Sequence, residues 1–220
     1  MIVEAICADR AAPLPGGKSS AIAKSPLEGL VSIGLGGIAG DIQVDRKHHG
    51  YPAMALHLYP ADHYGWLREG FSAPEALRGP GSMGENLFVN GVDETRVCIG
   101  DRFRLGSALI EASQPRQPCA TIERHLERKG VVKAIVASGR CGMFFRVIEP
   151  GTARAGNPLR PVAHGASGWT IRRAFFLVYG GGRPDRGELD ELISLPGVSD
   201  RLVHDIRRRH SVAAKARPLS

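Results

Sequence analysis

Short apolar or alternating runs, each bounded by glycine, proline or a polar turn residue, follow one another through residues 1–165. Runs of this length and pattern predict β-strands. The predicted strands are 2–7, 20–24, 54–59, 87–89, 96–99, 101–105, 108–112, 143–148 and 159–163. Helical patterns interrupt them only at 60–67 and at 121–138, where Gly130 divides the second. Many short strands with few helices between them predict an antiparallel or mixed barrel rather than a doubly wound sheet.

The pattern changes after Gly168, where helical periodicity replaces strand-like runs. The predicted helices are 170–178, 187–194 and 199–210, with frayed residues after them. We therefore predict a mainly β fold with added helices. A β-barrel domain at 1–165 precedes a C-terminal segment at 166–220, which holds three short helices and a basic tail and packs on the barrel.

Composition supports this outline. Glycine (28) and proline (15) together account for 43 of 220 residues, well above the ~12% of average usage, as many tight connections require. The formal charge of +7 raises the question of a nucleic-acid partner. The last twenty residues hold six basic side chains against the single acid Asp205, so five of the seven charges lie in this tail. A basic tail alone does not favour nucleic-acid binding.

Targeting and metal patterns are also informative. No apolar run approaches the ~18 residues of a membrane-spanning helix. The N-terminus has no basic region, and Glu4 interrupts its apolar stretch, so we expect no signal peptide and no membrane association.

The four cysteines, at 7, 98, 119 and 141, show none of the spacings of zinc or iron–sulfur sites. We expect reduced thiols and a cytoplasmic protein.

The segment Gln114-Pro115-Arg116-Gln117-Pro118-Cys119 carries the strongest chemical signal. Two prolines restrict the backbone on either side of Arg116, and Cys119 closes the segment. A thiol held on a stiff loop beside a guanidinium favours the thiolate, which is a nucleophile and a soft metal ligand. The alternative is a buried structural cysteine behind a proline turn. For Cys141, after Arg140, we favour a space-filling role, and we expect Cys7 and Cys98 to lie in the core.

Basic and polar side chains at loop-like positions form a second candidate group. Its members are Lys18, Ser20, Lys24, Lys47, His48, His49, Arg116, Arg140 and Arg146. Because arginine binds phosphate through two parallel hydrogen bonds, they could form an anion pocket at one end of the barrel. The alternative is a set of scattered, solvated charges.

Two further groups contain carboxylates. A metal site at Asp41, Asp45 and His49 is conceivable, although paired histidines beside a glycine favour a turn. Glu85 and Asn86 precede a predicted strand, where they would orient polar rings or satisfy backbone groups.

Seven motifs occur in a fixed order along nearly the whole chain. They are Gly17-Lys18-Ser19-Ser20-Ala21-Ile22-Ala23-Lys24, Gly40-Asp41-Ile42-Gln43-Val44-Asp45, His49-Gly50, Gly84-Glu85-Asn86-Leu87, Ile99-Gly100-Asp101, the segment at 114–119, and Arg140-Cys141-Gly142-Met143-Phe144-Phe145-Arg146-Val147. Each motif is weak by itself. The ordered set resembles the MOSC domain family, in particular its YiiM-type bacterial members, in which a β-barrel precedes a three-helix segment.

This resemblance implies a molybdenum cofactor (Mo-molybdopterin) and roles for individual residues. Cys119 would be the molybdenum ligand and a catalytic residue, and Asp45 would help to supply protons. The implied cofactor-binding residues are Lys18, Ser20, Lys24, His49, Asn86, Arg116, Arg140 and Arg146. Where the family often reads His-Gly-Gly-Pro-Asp, this chain has Tyr51 and Ala53 after His49-Gly50, which bears on the substrate more than on the cofactor.

The implied activity is reduction of N-hydroxylated compounds, such as N-hydroxylated purine bases, amidoximes and hydroxylamines. Side chains supply no two-electron redox couple, so a cofactor must carry this chemistry. The Gly34-x-Gly36-Gly37 pattern is not a dinucleotide-binding fingerprint, so we expect electrons from a separate reductase. The alternative function is a carrier of the cofactor or of its sulfur without turnover of its own. The sequence also leaves a homodimer open.

Overall fold

The fold consists of short strands followed by helices. The computed structural model describes residues 1–8, 12–13, 19–20, 22–41, 51–71, 77 and 79–215. The strands are β1 (Ile2–Ala8), β2 (Ala12–Pro13), β3 (Ser19–Ser20), β4 (Ser25–Pro26), β5 (Val31–Gly34), β6 (Gly37–Ile38), β7 (Leu56–Pro60), β8 (Leu87–Asn90), β9 (Arg102–Leu105), β10 (Ala108–Pro115), β11 (Met143–Glu149), β12 (Gly151–Ala153) and β13 (Leu159–Ala163). The helices are α1 (Asp62–Gly70), α2 (Ala120–Leu126), α3 (Val131–Ser138), α4 (Ile171–Tyr179), α5 (Arg186–Ser194) and α6 (Asp200–Lys215), and a 3-10 turn spans Pro52–Met54.

The main sheet has eight strands in the order β13-β9-β10-β11-β7-β8-β1-β4. Its pairs are antiparallel except for the parallel pair β7 and β8. The sheet curves until β1 meets the start of β13, where Val3 N donates to Asn157 O (3.0 Å) and Leu159 N donates to Met1 O (3.1 Å). The result is the mainly β, barrel-like fold with helices that the sequence predicts.

One hydrophobic cluster joins the barrel to the C-terminal helices. Leu58 and Phe145 from the strands are fully buried in it together with Ile171 of α4 and Ile206 of α6. The three C-terminal helices therefore pack on the barrel, as predicted, and bury their apolar faces there. A second cluster contains Tyr64 and other buried residues of α1, α2 and α3.

Several predicted strand bounds are corrected by the structure. Residues 96–99 form turns, and half-buried Cys98 makes only an isolated bridge to Thr170, because the Asp101 carboxylate accepts from Cys98 N (2.8 Å). The prediction of a strand at 20–24 is also wrong: β3 ends at Ser20, whose Oγ accepts from Ile22 N (3.2 Å). The sequence analysis also missed the short strands β2, β4, β5, β6 and β12 and ended α6 too early.

Other predictions of the local structure are confirmed. The helical pattern at 121–138 is two helices, and Gly130 separates them with a φ of +87°. β10 extends three residues beyond its predicted end, as far as Pro115, and so brings the 114–119 segment against β11. Within the residues that the structure describes, no helix combines the length and the apolar character needed to cross a membrane.

Candidate functional site

The candidate site begins where β10 ends. Pro115 pairs with Met143 in the last rung of the β10–β11 ladder, and Cys119 lies directly before the first residue of α2. Cys119 is exposed, whereas Cys7 and Cys141 are buried. The alternative of a buried structural cysteine at position 119 is therefore wrong, and the thiol is open to a ligand.

Arg116 lies on the same segment and is almost completely buried, at 8% exposure. Its backbone N–H donates to Gly142 O (3.1 Å). Among the described residues, its buried Nη1 atom has no hydrogen-bond partner. Because an unpaired buried charge is costly, this guanidinium is chemically suited to an anionic group that is not part of the described chain.

Gly142, whose carbonyl accepts from Arg116 N, packs tightly against β7. Its φ is +78°, and a Cβ atom at this position would lie 2.7 Å from His57 Nε2 and 2.9 Å from Leu58 O. Any side chain here would therefore strike β7 in addition to straining the backbone. The His57 ring itself lies 5.1 Å from the ring of Phe144. The backbone of Gly142 therefore packs directly against β7.

Arg140 and Cys141 precede this glycine. The Arg140 carbonyl accepts from the Tyr59 hydroxyl (3.3 Å), and its guanidinium lies 4.9 Å from the centre of the Trp66 ring. Arg140 also lines a polar cavity of about 210 Å³. Burial raises the pKa of Cys141 well above its usual value, with the Glu94 charge adding to the effect. The space-filling role predicted for Cys141 is confirmed.

Asn86 connects this group to Lys24. Its Nδ2 donates to Asp41 Oδ2 (2.9 Å) and to Cys7 O (3.1 Å), and its Oδ1 accepts from His57 N (3.1 Å). Lys24 and Asp41 form an ion pair in which each side chain is 7% exposed. Asp41 and Asn86 thus link Lys24 to the backbone of His57, whose ring packs against Gly142. Of the described residues, no three His, Cys, Asp or Glu side chains form a metal-binding group.

Glu85, next to Asn86, is fully buried. Its carboxylate accepts from Tyr64 Oη (2.7 Å), Gly81 N (2.6 Å) and Met83 N (3.0 Å). Burial raises the pKa of Glu85 from its ordinary value to about 7. Of the two alternatives predicted for this pair, the satisfaction of backbone groups is confirmed.

The structure places the remaining predicted site residues as follows. Arg146 pairs with Glu111 (2.8 Å) and donates to Val198 O of the C-terminal segment (3.4 Å). Ser20 caps a local turn through Ile22 N. The predictions for Lys18, Asp45 and His49 lie outside the described residues.

Sequence reasoning missed two residues that contact Gly142. His57 of β7 packs against this glycine, and buried Glu94 accepts from Gly142 N (2.5 Å). The presence of a histidine inside the apolar run 54–59 was a weak signal for His57. Nothing in the sequence around Glu94 pointed to its contact, which joins residues 48 positions apart.

In this barrel-like fold, one short segment carries both the exposed Cys119 and the buried Arg116, which is unpaired at Nη1 among the described residues. The family model of the MOSC domain matches residues 45–160. The protein YiiM of Escherichia coli is 36% identical over 197 residues, which are 89% of this chain and 86% of that protein. The chain therefore belongs to the MOSC domain family.

Two further comparisons bear on fold and function. The crystal structure of YiiM from Geobacillus stearothermophilus matches with a TM-score of 0.78 and 26% identity, covering 94% of this chain and 98% of that one. A Gibberella moniliformis protein named reductase is 32% identical over 160 residues, which are 72% of this chain and 28% of that protein. Membership of the MOSC domain family supports a role connected with the molybdenum cofactor.

The described residues fit such a cofactor. The unpaired Nη1 of buried Arg116 suits a phosphate, because a guanidinium donates to two of its oxygens at once. The exposed thiol of Cys119 is a soft ligand of the kind that thiophilic metals prefer.

Proposed function

We propose that this protein is a molybdenum cofactor-dependent reductase of N-hydroxylated substrates, such as N-hydroxylated purine bases, amidoximes and hydroxylamines. The observation that carries the proposal is the buried Arg116 guanidinium, unpaired at Nη1 among the described residues, on the same short segment as exposed Cys119. A structural arginine would be paired at such burial. Membership of the MOSC family supports the cofactor, and the reductase relative supports the reaction type.

In this proposal the chain holds the cofactor at two points. Cys119 binds molybdenum through its thiolate, and Arg116 and Arg140 bind the anionic pterin phosphate. The cofactor supplies the two-electron chemistry that cleaves the N–O bond with uptake of two protons and loss of water. Lys24 and Asn86, which both contact Asp41, are proposed cofactor-binding residues as well.

Lys18, Ser20, His49 and Arg146 remain proposed cofactor-binding residues on the family motif. Asp45 is the proposed source of protons. We assign the supply of electrons to a separate reductase. The four free thiols support a reducing compartment, the cytoplasm.

Molybdenum and pterin analysis of the wild type beside Cys119→Ala tests the ligand assignment. Both proteins are produced in a host that makes the cofactor. Cys98→Ala serves as the control because Cys98 lies outside the 114–119 segment and forms a backbone β-bridge with Thr170. We expect stoichiometric molybdenum in the wild type and control, with loss in Cys119→Ala. Equal retention of molybdenum in both cysteine variants would overturn the assignment of Cys119 as the ligand. Absence of molybdenum from the wild type would overturn the proposed function.

Turnover is measured with N-hydroxylaminopurine and an artificial electron donor. We expect steady reduction with the donor and none with NADH alone. Reduction by NADH without any added electron-transfer protein would contradict the separate reductase.

The exposure of Cys119 also favours a second function, a carrier that passes on the cofactor or its sulfur. A carrier would contain the cofactor and transfer it to an acceptor protein, but it would not turn over an N-hydroxylated substrate with the artificial donor. The turnover experiment therefore separates the two functions.

A further inference from the structure

Glu94 is a buried carboxylate that joins three separate parts of the chain. It lies in the turn between β8 and β9 and is 2% exposed. Its Oε2 contacts His63 Nε2 of α1 (2.8 Å), and its Oε1 accepts from the backbone N–H of Gly142 (2.5 Å). A carboxylate buried at this depth is retained where its hydrogen bonds hold something in place.

The Gly142 residue is held from both of its backbone polar groups. Glu94 accepts from its N–H, and its carbonyl accepts from the backbone N–H of Arg116 (3.1 Å). A movement of Gly142 would therefore be passed to Arg116 directly. It would also change the gap to His57, which is already too narrow for a Cβ atom.

The turn that carries Glu94 is itself fixed. The Asp93 carboxylate accepts from Thr95 N (2.8 Å) and from Thr95 Oγ1 (2.5 Å), which closes the turn around Glu94. The Glu94 carbonyl accepts from Arg172 N of α4 (2.8 Å). Glu94 thus connects a turn that is held by hydrogen bonds to Gly142, beside the candidate site.

We propose that Glu94 is a positioning residue that sets the place of Arg116 and Arg140 through Gly142. This inference rests on the proposed function, in which those arginines bind the cofactor. The carboxylate acts on the backbone of the 140–142 segment and touches neither cofactor nor substrate. Residues that orient ligand-binding groups in this indirect way change metal affinity by roughly 10–100-fold when they are removed.

The test compares Glu94→Ala, Glu94→Gln and the control Asp101→Ala. Glu94→Gln keeps an oxygen that can accept from Gly142 N, whereas Glu94→Ala removes it. Glu94 also lines the polar cavity of about 210 Å³, so water can enter beside His63 in the alanine variant. Asp101 is another buried carboxylate that accepts from backbone N–H groups, of Cys98 and Gly165, and it makes no contact with the 140–142 segment in the described hydrogen bonds.

The first measurement is residue-level amide hydrogen exchange in the cofactor-free protein. In Glu94→Ala, we expect the amides of Gly142 and Arg116 both to exchange about tenfold faster, because loss of a hydrogen bond to a charged acceptor weakens the segment. We expect near wild-type rates in Glu94→Gln and Asp101→Ala. An unchanged Arg116 amide in Glu94→Ala would overturn the proposal whether or not the wild type binds the cofactor.

The second measurement is molybdenum and pterin per folded protein. We expect a loss of about tenfold in Glu94→Ala, with recovery in Glu94→Gln and no loss in Asp101→Ala. Full cofactor content in Glu94→Ala would also overturn the positioning role. A wild type without molybdenum would instead overturn the proposed function, and the exchange rates would still decide the role of Glu94.

Discussion

The side chain of Gln114, the first residue of the cysteine-bearing segment, accepts a hydrogen bond from the Ser199 hydroxyl just before α6. Both residues are buried, at 2% and 0% exposure, and they lie 85 positions apart in the chain. Ser199 Oγ in turn accepts from Leu202 N (2.9 Å) in the first turn of α6. The C-terminal helices are therefore bonded to the segment that presents Arg116 and Cys119, in addition to covering the barrel.

Replacement of Ser199 by alanine should lower the free energy of unfolding by about 1–3 kcal/mol. The change removes a helix cap and leaves the buried Gln114 oxygen without its partner. Urea unfolding monitored by tryptophan fluorescence measures the effect. Ser194→Ala, which removes an exposed hydroxyl from the last residue of α5, serves as the control and should change the free energy by less than ~0.5 kcal/mol. Equal effects in the two variants would contradict the role of the Gln114 contact.

Gly142→Ala should destabilise the protein more than Gly156→Ala. Both glycines have positive φ, at +78° and +87°, so each alanine bears a left-handed backbone cost of about 1–2 kcal/mol. A Cβ atom at 142 would also strike His57, whereas nothing lies within 4 Å of one at 156. The additional overpacking should cost about 1–3 kcal/mol. Thermal unfolding of the two variants, measured side by side, gives the difference in stability. Equal stability would show that the 140–142 segment shifts to accept the Cβ atom and would contradict the tight packing.

Arg116→Met separates stability from ligand binding. Methionine fills a similar space without the guanidinium, which is unpaired at Nη1 among the described residues. Apolar replacement of buried charges is often neutral or stabilising. We therefore expect the free energy of unfolding of the cofactor-free variant to lie within about 1 kcal/mol of the wild-type value, or above it. Its molybdenum content should nevertheless fall to background. A large loss of stability with cofactor retained would show that Arg116 is a structural residue.

The raised pKa of Glu85 predicts a pH dependence of stability. With a folded pKa of about 7, the folded protein holds a proton that the unfolded chain has already released. The stabilising contribution of this group is complete at low pH and is lost as the pH rises towards 7 and just beyond. The slope is at most about 1.4 kcal/mol per pH unit.

Glu85→Gln tests this dependence because glutamine does not titrate. The difference in unfolding free energy, wild type minus variant, should fall as the pH rises from about 4.5 to about 7, the span of the shift, and level off just above it. Glu69→Gln, which changes an exposed carboxylate of α1, is the control. A difference that stays constant across this range would contradict the raised pKa.

Alkylation with iodoacetamide should modify Cys119 first. Cys119 is exposed, whereas Cys7 and Cys141 are buried and burial raises the pKa of both thiols, that of Cys7 to about 12. Burial also raises the pKa of half-buried Cys98. Peptide mass spectrometry after a time course measures the order. Protection of Cys119 in protein loaded with cofactor would support its role as ligand, and early reaction at Cys141 would contradict the described packing.

Much of the barrel was predictable because its strands carry local signals. The apolar runs that became β1, β7, β9 and β11 have bounds within about two residues of those predicted, the margin expected for element ends. The errors arose where polar side chains compete with the sheet. The carboxylate of Asp101 accepts a hydrogen bond from Cys98 N, and the hydroxyl of Ser20 accepts one from Ile22 N. Neither stretch therefore forms the predicted strand.

The amino-acid sequence alone predicted the class of fold and the family and singled out the Arg116–Cys119 segment as a candidate site, because glycine and proline spacing and motif order are local properties of the chain. Which polar groups meet became visible only in the folded chain. The tertiary structure paired Lys24 with Asp41, directed Arg146 to Glu111, left Arg116 unpaired at Nη1 among the described residues, and brought Glu94 to Gly142. Such contacts depend on strand order and register, which join residues far apart in the chain, and no local pattern encodes them.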